Sequence, residues 1–196
     1  MISKNLVFIG DSLTFGYGVR KNENWVTKLE NCLSNSIINK GINGNTSVDM
    51  LVRFNEDVLS YNPYLVFIMG GTNDLLSNRS VSSIIDNIRL MIKDLISINS
   101  KIVIGIPPTI IAKDAYNLFY PGDTYFYCEQ NLVKLREELI NICNNYNITY
   151  IDFYNVTLKN LANDIFLDGI HLNNTGQNIL FSEAIKNYEF NSLSKK

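Results

Sequence analysis

A chain of 196 residues, 46% of them hydrophobic and 18% charged, can bury about 70% of the surface its unfolded form exposes, so it needs neither disulfides nor a metal to stay folded. Seventeen Lys and Arg against nineteen Asp and Glu leave a formal net charge of −2, which supplies no long-range attraction to nucleic acid or anionic lipid and argues against a nucleic-acid partner. No apolar run approaches the roughly 20 residues that cross a bilayer, so no integral membrane association is expected.

In chain order, Leu6 to Ile9 is the first short apolar run and predicts a buried strand. Trp25, Leu29 and Leu33 then recur at helical spacing, a weaker strand lies near Ser36 to Asn39, and Leu51, Phe54 and Val58 mark the next helix. Tyr64 to Met69 predicts a strand, Ile84, Ile88, Ile92 and Leu95 a helix, and Lys101 to Ile106 another strand. Pro107 to Cys128 reads as a loop of about twenty residues, well beyond the usual 2 to 6 of a βα connection, and loops of that length are often functional. Leu132, Leu135, Leu139 and Ile142 predict a helix, Thr149 to Phe153 the fifth strand, and Thr175 to Tyr188 a last helix. Strands alternating with helices in this way imply one domain over residues 1–196, a three-layer α/β/α sandwich with a five-stranded parallel sheet of flavodoxin-like type.

Three widely spaced cysteines, Cys32, Cys128 and Cys143, suit neither a disulfide framework nor a zinc site and are expected to stay reduced. A single histidine, His171, cannot build the multi-ligand sites that zinc favours, so no metal and no cofactor are expected. The short apolar run after Met1 lacks the pattern of a secretory signal, and a cytoplasmic protein is expected.

In open parallel sheets ligands bind at the carboxyl ends of the strands, where the strand order reverses. There the sequence places Gly10-Asp11-Ser12-Leu13, Gly41-Ile42-Asn43-Gly44-Asn45-Thr46 and Gly70-Gly71-Thr72-Asn73-Asp74, with Asp168-Gly169-Ile170-His171-Leu172 ahead of the last helix. A serine needs a base within hydrogen-bond reach, and that base needs a third group to fix its tautomer. His171 is the one candidate base, and Asp168, three residues earlier, can share its side in a turn. Acyl transfer also needs donors for a developing oxyanion, and the N–H groups of Ser12 and Gly44 and the amide of Asn73 are placed to serve.

These blocks resemble the SGNH hydrolase superfamily, the GDSL esterases and lipases, over nearly the full length from Gly10 to Leu172. GDSLTFGYG, GGTND and DGIHLN match closely, and GINGNT more loosely, which leaves Gly41 as an alternative to Gly44. The resemblance implies an α/β/α fold with five parallel strands. It further implies Ser12 as nucleophile, His171 as general base and acid, Asp168 as its orienting partner, and Ser12, Gly44 and Asn73 as the oxyanion hole.

Each block alone also has an ordinary structural reading, because Gly-Asp-Ser and Asn-Asp are common turn and cap residues. Asp11 and Asp74 could each position neighbouring loops, and neither is assigned a chemical step. The aromatics Tyr116, Phe119, Tyr120, Tyr125, Phe126 and Tyr127 can wall a substrate pocket or simply pack their own segment. The expected activity is cleavage of a small-molecule carboxylic ester, an acyl or acetyl ester, a lysophospholipid or a thioester, through a covalent acyl-enzyme. A carbohydrate O-deacetylase of the same fold and a non-catalytic binding module are the rivals. A nucleotide binder is disfavoured because no glycine-rich phosphate loop follows the first strand.

Overall fold

The computed structural model of the protein describes residues 5–195. Five strands, β1 (Leu6–Gly10), β2 (Ile37–Gly41), β3 (Leu65–Met69), β4 (Lys101–Ile106) and β5 (Thr149–Asp152), pair in parallel in the order β2-β1-β3-β4-β5. This is the flavodoxin-like order, and its reversal falls between β1 and β3. The helices are α1 (Ser12–Phe15), α2 (Trp25–Cys32), α3 (Ser47–Val52), α4 (Phe54–Asp57), α5 (Thr72–Leu76), α6 (Val81–Ser97), α7 (Ala112–Leu118), α8 (Thr124–Tyr146), α9 (Phe153–Leu158), α10 (Asn174–Ala184) and α11 (Tyr188–Asn191).

Side chains alternate across a strand, so a central strand covered on both faces is apolar at every position. Val7, Ile9, Val66, Ile68, Ile102 and Ile104 point into one core, filled from outside by Ile84, Ile88 and Ile92 of α6 and Leu132, Leu135 and Leu139 of α8. Leu6, Phe8, Leu65, Phe67 and Val103 point into the other, against Trp25 and Leu29 of α2, Leu180 of α10 and Phe190 of α11. The second core is aromatic: Phe8 stacks on Phe67 at 4.8 Å, and Trp25 meets Phe67 and Phe153 edge-on. Edge-to-face and offset pairs of this kind add about 0.5–1.5 kcal/mol each beyond their buried area.

The predicted elements shift in four places. Residues 107–128 are not a continuous loop, because they contain α7 and the first turn of α8, with irregular stretches only at 107–111 and 119–123. The helix expected over Leu51 to Val58 is two short ones, α3 and α4, which meet at Arg53. The last predicted helix divides into α10 and α11, the second capped by Asn187, whose side chain accepts the Glu189 N–H at 3.0 Å. Phe153 opens α9 instead of ending β5, since the Asp152 carboxylate accepts the Asn155 N–H at 3.0 Å and turns the chain. Among the described residues no helix is long and apolar enough to cross a membrane.

Candidate active site

The carboxyl ends of β1, β2 and β3 meet at the reversal of strand order, and each leads straight into one of the polar blocks. After β1, Asp11 caps α1 by accepting the Leu13 N–H at 2.8 Å, which leaves Ser12 as the first helical residue. First-turn N–H groups have no partner inside a helix, so the Ser12 N–H faces outward from the turn. A four-residue helix is not stable alone, and this one is held by side chains that take its last carbonyls. Trp25 Nε1–H donates to Leu13 O at 2.9 Å, Asn39 Nδ2 to Thr14 O at 3.0 Å, and Asn24 Nδ2 to Phe15 O at 2.6 Å. Gly16 then closes the turn at φ +89°, where an added Cβ would overlap the Asn24 side chain.

The histidine arrives on a preformed hairpin. Phe166 and Leu172 pair antiparallel, and Asp168 Oδ1 accepts the N–H groups of Ile170 and His171 at 2.9 and 2.7 Å. The other oxygen of the same carboxylate lies 2.7 Å from His171 Nδ1, so one aspartate fixes both the loop and the ring. Across the site, His171 Nε2 lies 3.0 Å from Ser12 Oγ. The carboxylate favours the tautomer in which Nδ1–H donates to it, and that tautomer leaves Nε2 to accept from the serine hydroxyl. Burial would raise the Asp168 pKa, but the bonds from the His171 ring and from the two backbone N–H groups outweigh it and hold the carboxyl below its ordinary value. The aspartate stays ionised beside the ring, as an orienting partner must.

Gly41 and Gly44 are no longer equivalent. The Gly41 N–H donates to Asn39 Oδ1 at 2.9 Å, and a Cβ there would meet the Phe15 backbone, so Gly41 serves the junction of β2 with α1. Gly44 has φ +77° and nothing within 4 Å of an added Cβ, which leaves its backbone open to an approaching ligand. Asn73 lies in the first turn of α5, and its Nδ2 donates one hydrogen to Asn45 O at 3.0 Å. An amide NH2 has two hydrogens, so one remains for a ligand. Arg53 braces the same loop, donating to Asn45 Oδ1 at 2.7 Å and to Gly10 O at 3.1 Å.

Sequence reasoning did not find Tyr17, whose ring lies 4.4 Å from the His171 ring and covers it on one side. The one signal the sequence offered was Gly16, whose φ of +89° turns the chain at the end of α1. Of the six aromatics of 116–127, four pair within their own segment, while Tyr127 packs against the core and Tyr120 is exposed. Tyr116 meets Phe126, Phe119 meets Tyr125, and the Tyr127 hydroxyl donates to Arg79 O. Beside Asp168 a cleft of about 560 Å³ opens between α7 and residues 161–169, lined by Leu118, Leu161, Phe166 and Leu167 with Asp114 and Asn117. Among the described residues no group of three His, Cys, Asp or Glu side chains could hold a metal ion.

Residues 8–179 match the family model described as the GDSL-like lipase/acylhydrolase family. The chain belongs to that family. Membership classes it as a carboxylic ester hydrolase of the GDSL type, and Ser12, Asn73 and His171 all lie within the matched span. A structure of a member of the lipolytic protein G-D-S-L family from Veillonella parvula superposes with a TM-score of 0.79 at 21% identity, covering 95% of this chain and 99% of that one. An acetylxylan esterase from Geobacillus stearothermophilus, solved as a catalytic mutant, superposes with a TM-score of 0.76 at 20% identity over 94% of each chain. Both likenesses are of fold. In sequence, the chain is 38% identical over 78 residues to the lipoprotein YqeF of Bacillus subtilis, a match that spans 36% of this chain and 32% of that protein.

Proposed function

We propose that this GDSL-family chain is a serine esterase that works through a covalent acyl-enzyme, with Ser12 as nucleophile, His171 as base and acid, and Asp168 as its orienting partner. The observation that carries the reading is the unbroken relay from Ser12 Oγ to His171 Nε2 at 3.0 Å and from Nδ1 to Asp168 at 2.7 Å. Ser12 Oγ attacks the ester carbonyl carbon while its proton passes to Nε2. The carbonyl oxygen takes up the electron pair as an oxyanion facing the N–H groups of Ser12 and Gly44 and the free hydrogen of Asn73 Nδ2. Collapse of this intermediate breaks the bond to the alkoxy oxygen, which leaves as alcohol with the proton from His171. Water then attacks the acyl-enzyme with the same base, and the acid is released.

The substrate is a small-molecule ester, and the open surroundings of Gly44 support entry of the carbonyl from solvent. The cleft beside Asp168 is placed to take one arm of it. Three unpaired thiols, two of them buried with pKa values pushed by burial to about 12, support work in a reducing compartment such as the cytoplasm.

The test is turnover of short p-nitrophenyl esters by Ser12→Ala and His171→Ala. Each should lose nearly all activity, and Ser12→Ala should also lose labelling by a fluorophosphonate. Full turnover by either variant would overturn the assignment. Running p-nitrophenyl acetate, octanoate and an acetylated xylooligosaccharide side by side separates an acyl esterase from a carbohydrate deacetylase.

A further inference from the structure

Gly44 stands on the loop after β2 and Asn73 in the first turn of α5 after β3, and an oxyanion site requires both donors to aim at one point within a few tenths of an ångström. The group that joins these two segments is a carboxylate. Asp74 is fully buried, and it does not cap its own helix. Its two oxygens cross to a single residue of the neighbouring block, Oδ2 accepting the Ser47 N–H and Oδ1 the Ser47 hydroxyl, both at 2.7 Å. Ser47 Oγ in turn accepts from Asn87 Nδ2 at 2.9 Å, which fixes the direction of its own hydrogen toward Asp74.

Three consecutive residues directly after Gly44 are thereby tied to the third block or to Arg79, five residues beyond it. Asn45 O accepts from Asn73 Nδ2, Thr46 Oγ1 accepts from Arg79 at 3.2 Å, and Ser47 donates twice to Asp74. The Arg79 guanidinium also lies 3.6 Å from Asp74 Oδ1 and supplies the positive charge nearest it. We propose that Asp74 is a positioning residue for the oxyanion site, holding the loop that carries Gly44 against the helix that carries Asn73 so that both donors converge on the carbonyl oxygen. This rests on the reading above that those two residues are the donors.

Burying a carboxylate is costly, and here burial raises the Asp74 pKa against the opposing bonds from Ser47 and the charge of Arg79. A loop needed only for packing could be held more cheaply by apolar contact. Two short charge-assisted bonds to one residue instead give a rigid, directional joint. Asp74 touches no reacting atom, so its loss should appear in the transition state and leave ground-state binding intact.

The experiment measures kcat and KM on p-nitrophenyl acetate for Asp74→Asn, Ser47→Ala, Asn73→Ala and the double variant Asn73→Ala/Asp74→Asn, with Ser12→Ala as blank. Asp74→Asn should lower kcat about 10-fold or more with KM within about twofold, and Ser47→Ala, which keeps the backbone bond, several-fold. In the Asn73→Ala background the Asp74→Asn loss should shrink to about threefold or less, because one of the two donors it brings into register is already gone. Wild-type kcat in Asp74→Asn, or a loss that multiplies in full with that of Asn73→Ala, overturns the proposal. Should Asp74→Asn fail to fold, an unchanged kcat in Ser47→Ala overturns it instead. If Asn73→Ala alone keeps wild-type kcat while Ser12→Ala is inactive, the donor assignment fails and takes this proposal with it, leaving the nucleophile intact.

Discussion

Gln177 Oε1, on α10, accepts the backbone N–H of Trp25 at 3.0 Å, and its Nε2 lies 3.4 Å from Leu172 O. One buried amide thus joins the start of α2, whose indole supports the serine helix, to the residue after His171. Replacing Gln177 by Leu leaves a buried N–H and a buried carbonyl unpaired, at about 1–3 kcal/mol each. The expected outcome is a Tm several degrees lower than that of the parent and a kcat that falls further than KM rises. A variant with parental Tm would mean that solvent satisfies both groups.

Asp168→Asn should lower kcat by about 10³- to 10⁴-fold, because an amide offers Nδ1 a donor where the ring needs an acceptor and so favours the wrong tautomer. It also weakens the acceptor of the Ile170 and His171 N–H groups. Burst kinetics with p-nitrophenyl acetate read the acylation step directly, and a loss below about tenfold would show that the ring is oriented by other groups.

Asp11 predicts a pH dependence of stability opposite to that of an ion-paired carboxylate. Burial pushes its pKa from 3.8 up to about 6, against the Leu13 N–H and the nearby His171, which favour the ionised form, and with Asp74 adding to the rise. The folded chain holds this proton more tightly than the unfolded chain does. The cost is therefore absent below about pH 4, develops as pH rises from 3.8 to about 6, and reaches about 3 kcal/mol above that. Asp11→Asn keeps a side-chain oxygen for the Leu13 N–H and removes the charge. Its urea midpoint should exceed the parent's at pH 8 and converge with it at pH 4. A parent that is the more stable of the two at pH 8 would show that the ionised carboxylate is satisfied.

Leu118 is half exposed at the mouth of the cleft beside Asp168. Filling the cleft with Leu118→Trp should depress turnover of octanoate relative to acetate esters if an acyl arm lies there. An unchanged ratio of the two rates would remove the cleft from the substrate path.

The strands were readable where both faces are buried: β1 and β3 are apolar at every buried position up to their closing residues. β2, at the sheet edge, carries Asn39 and Lys40 and alternates with solvent, which is why its signal was weak. α7 escaped notice because the face it buries consists of Ala112 and Ala115, too small to stand out as a periodic apolar stripe. The relay of Ser12, Asp168 and His171 was legible because each member sits in a short block with a defined turn. The partnership of Asp74 with Ser47 was not, since it joins the first turns of α3 and α5, 27 positions apart, whose closeness depends on the sheet order.

Ser12 and His171 are 159 positions apart, and the last strand ends at Asp152, well before the histidine. On the proposed reading, a ribosome releases every strand of the sheet before it releases the imidazole, so hydrolysis waits for the hairpin that bears His171.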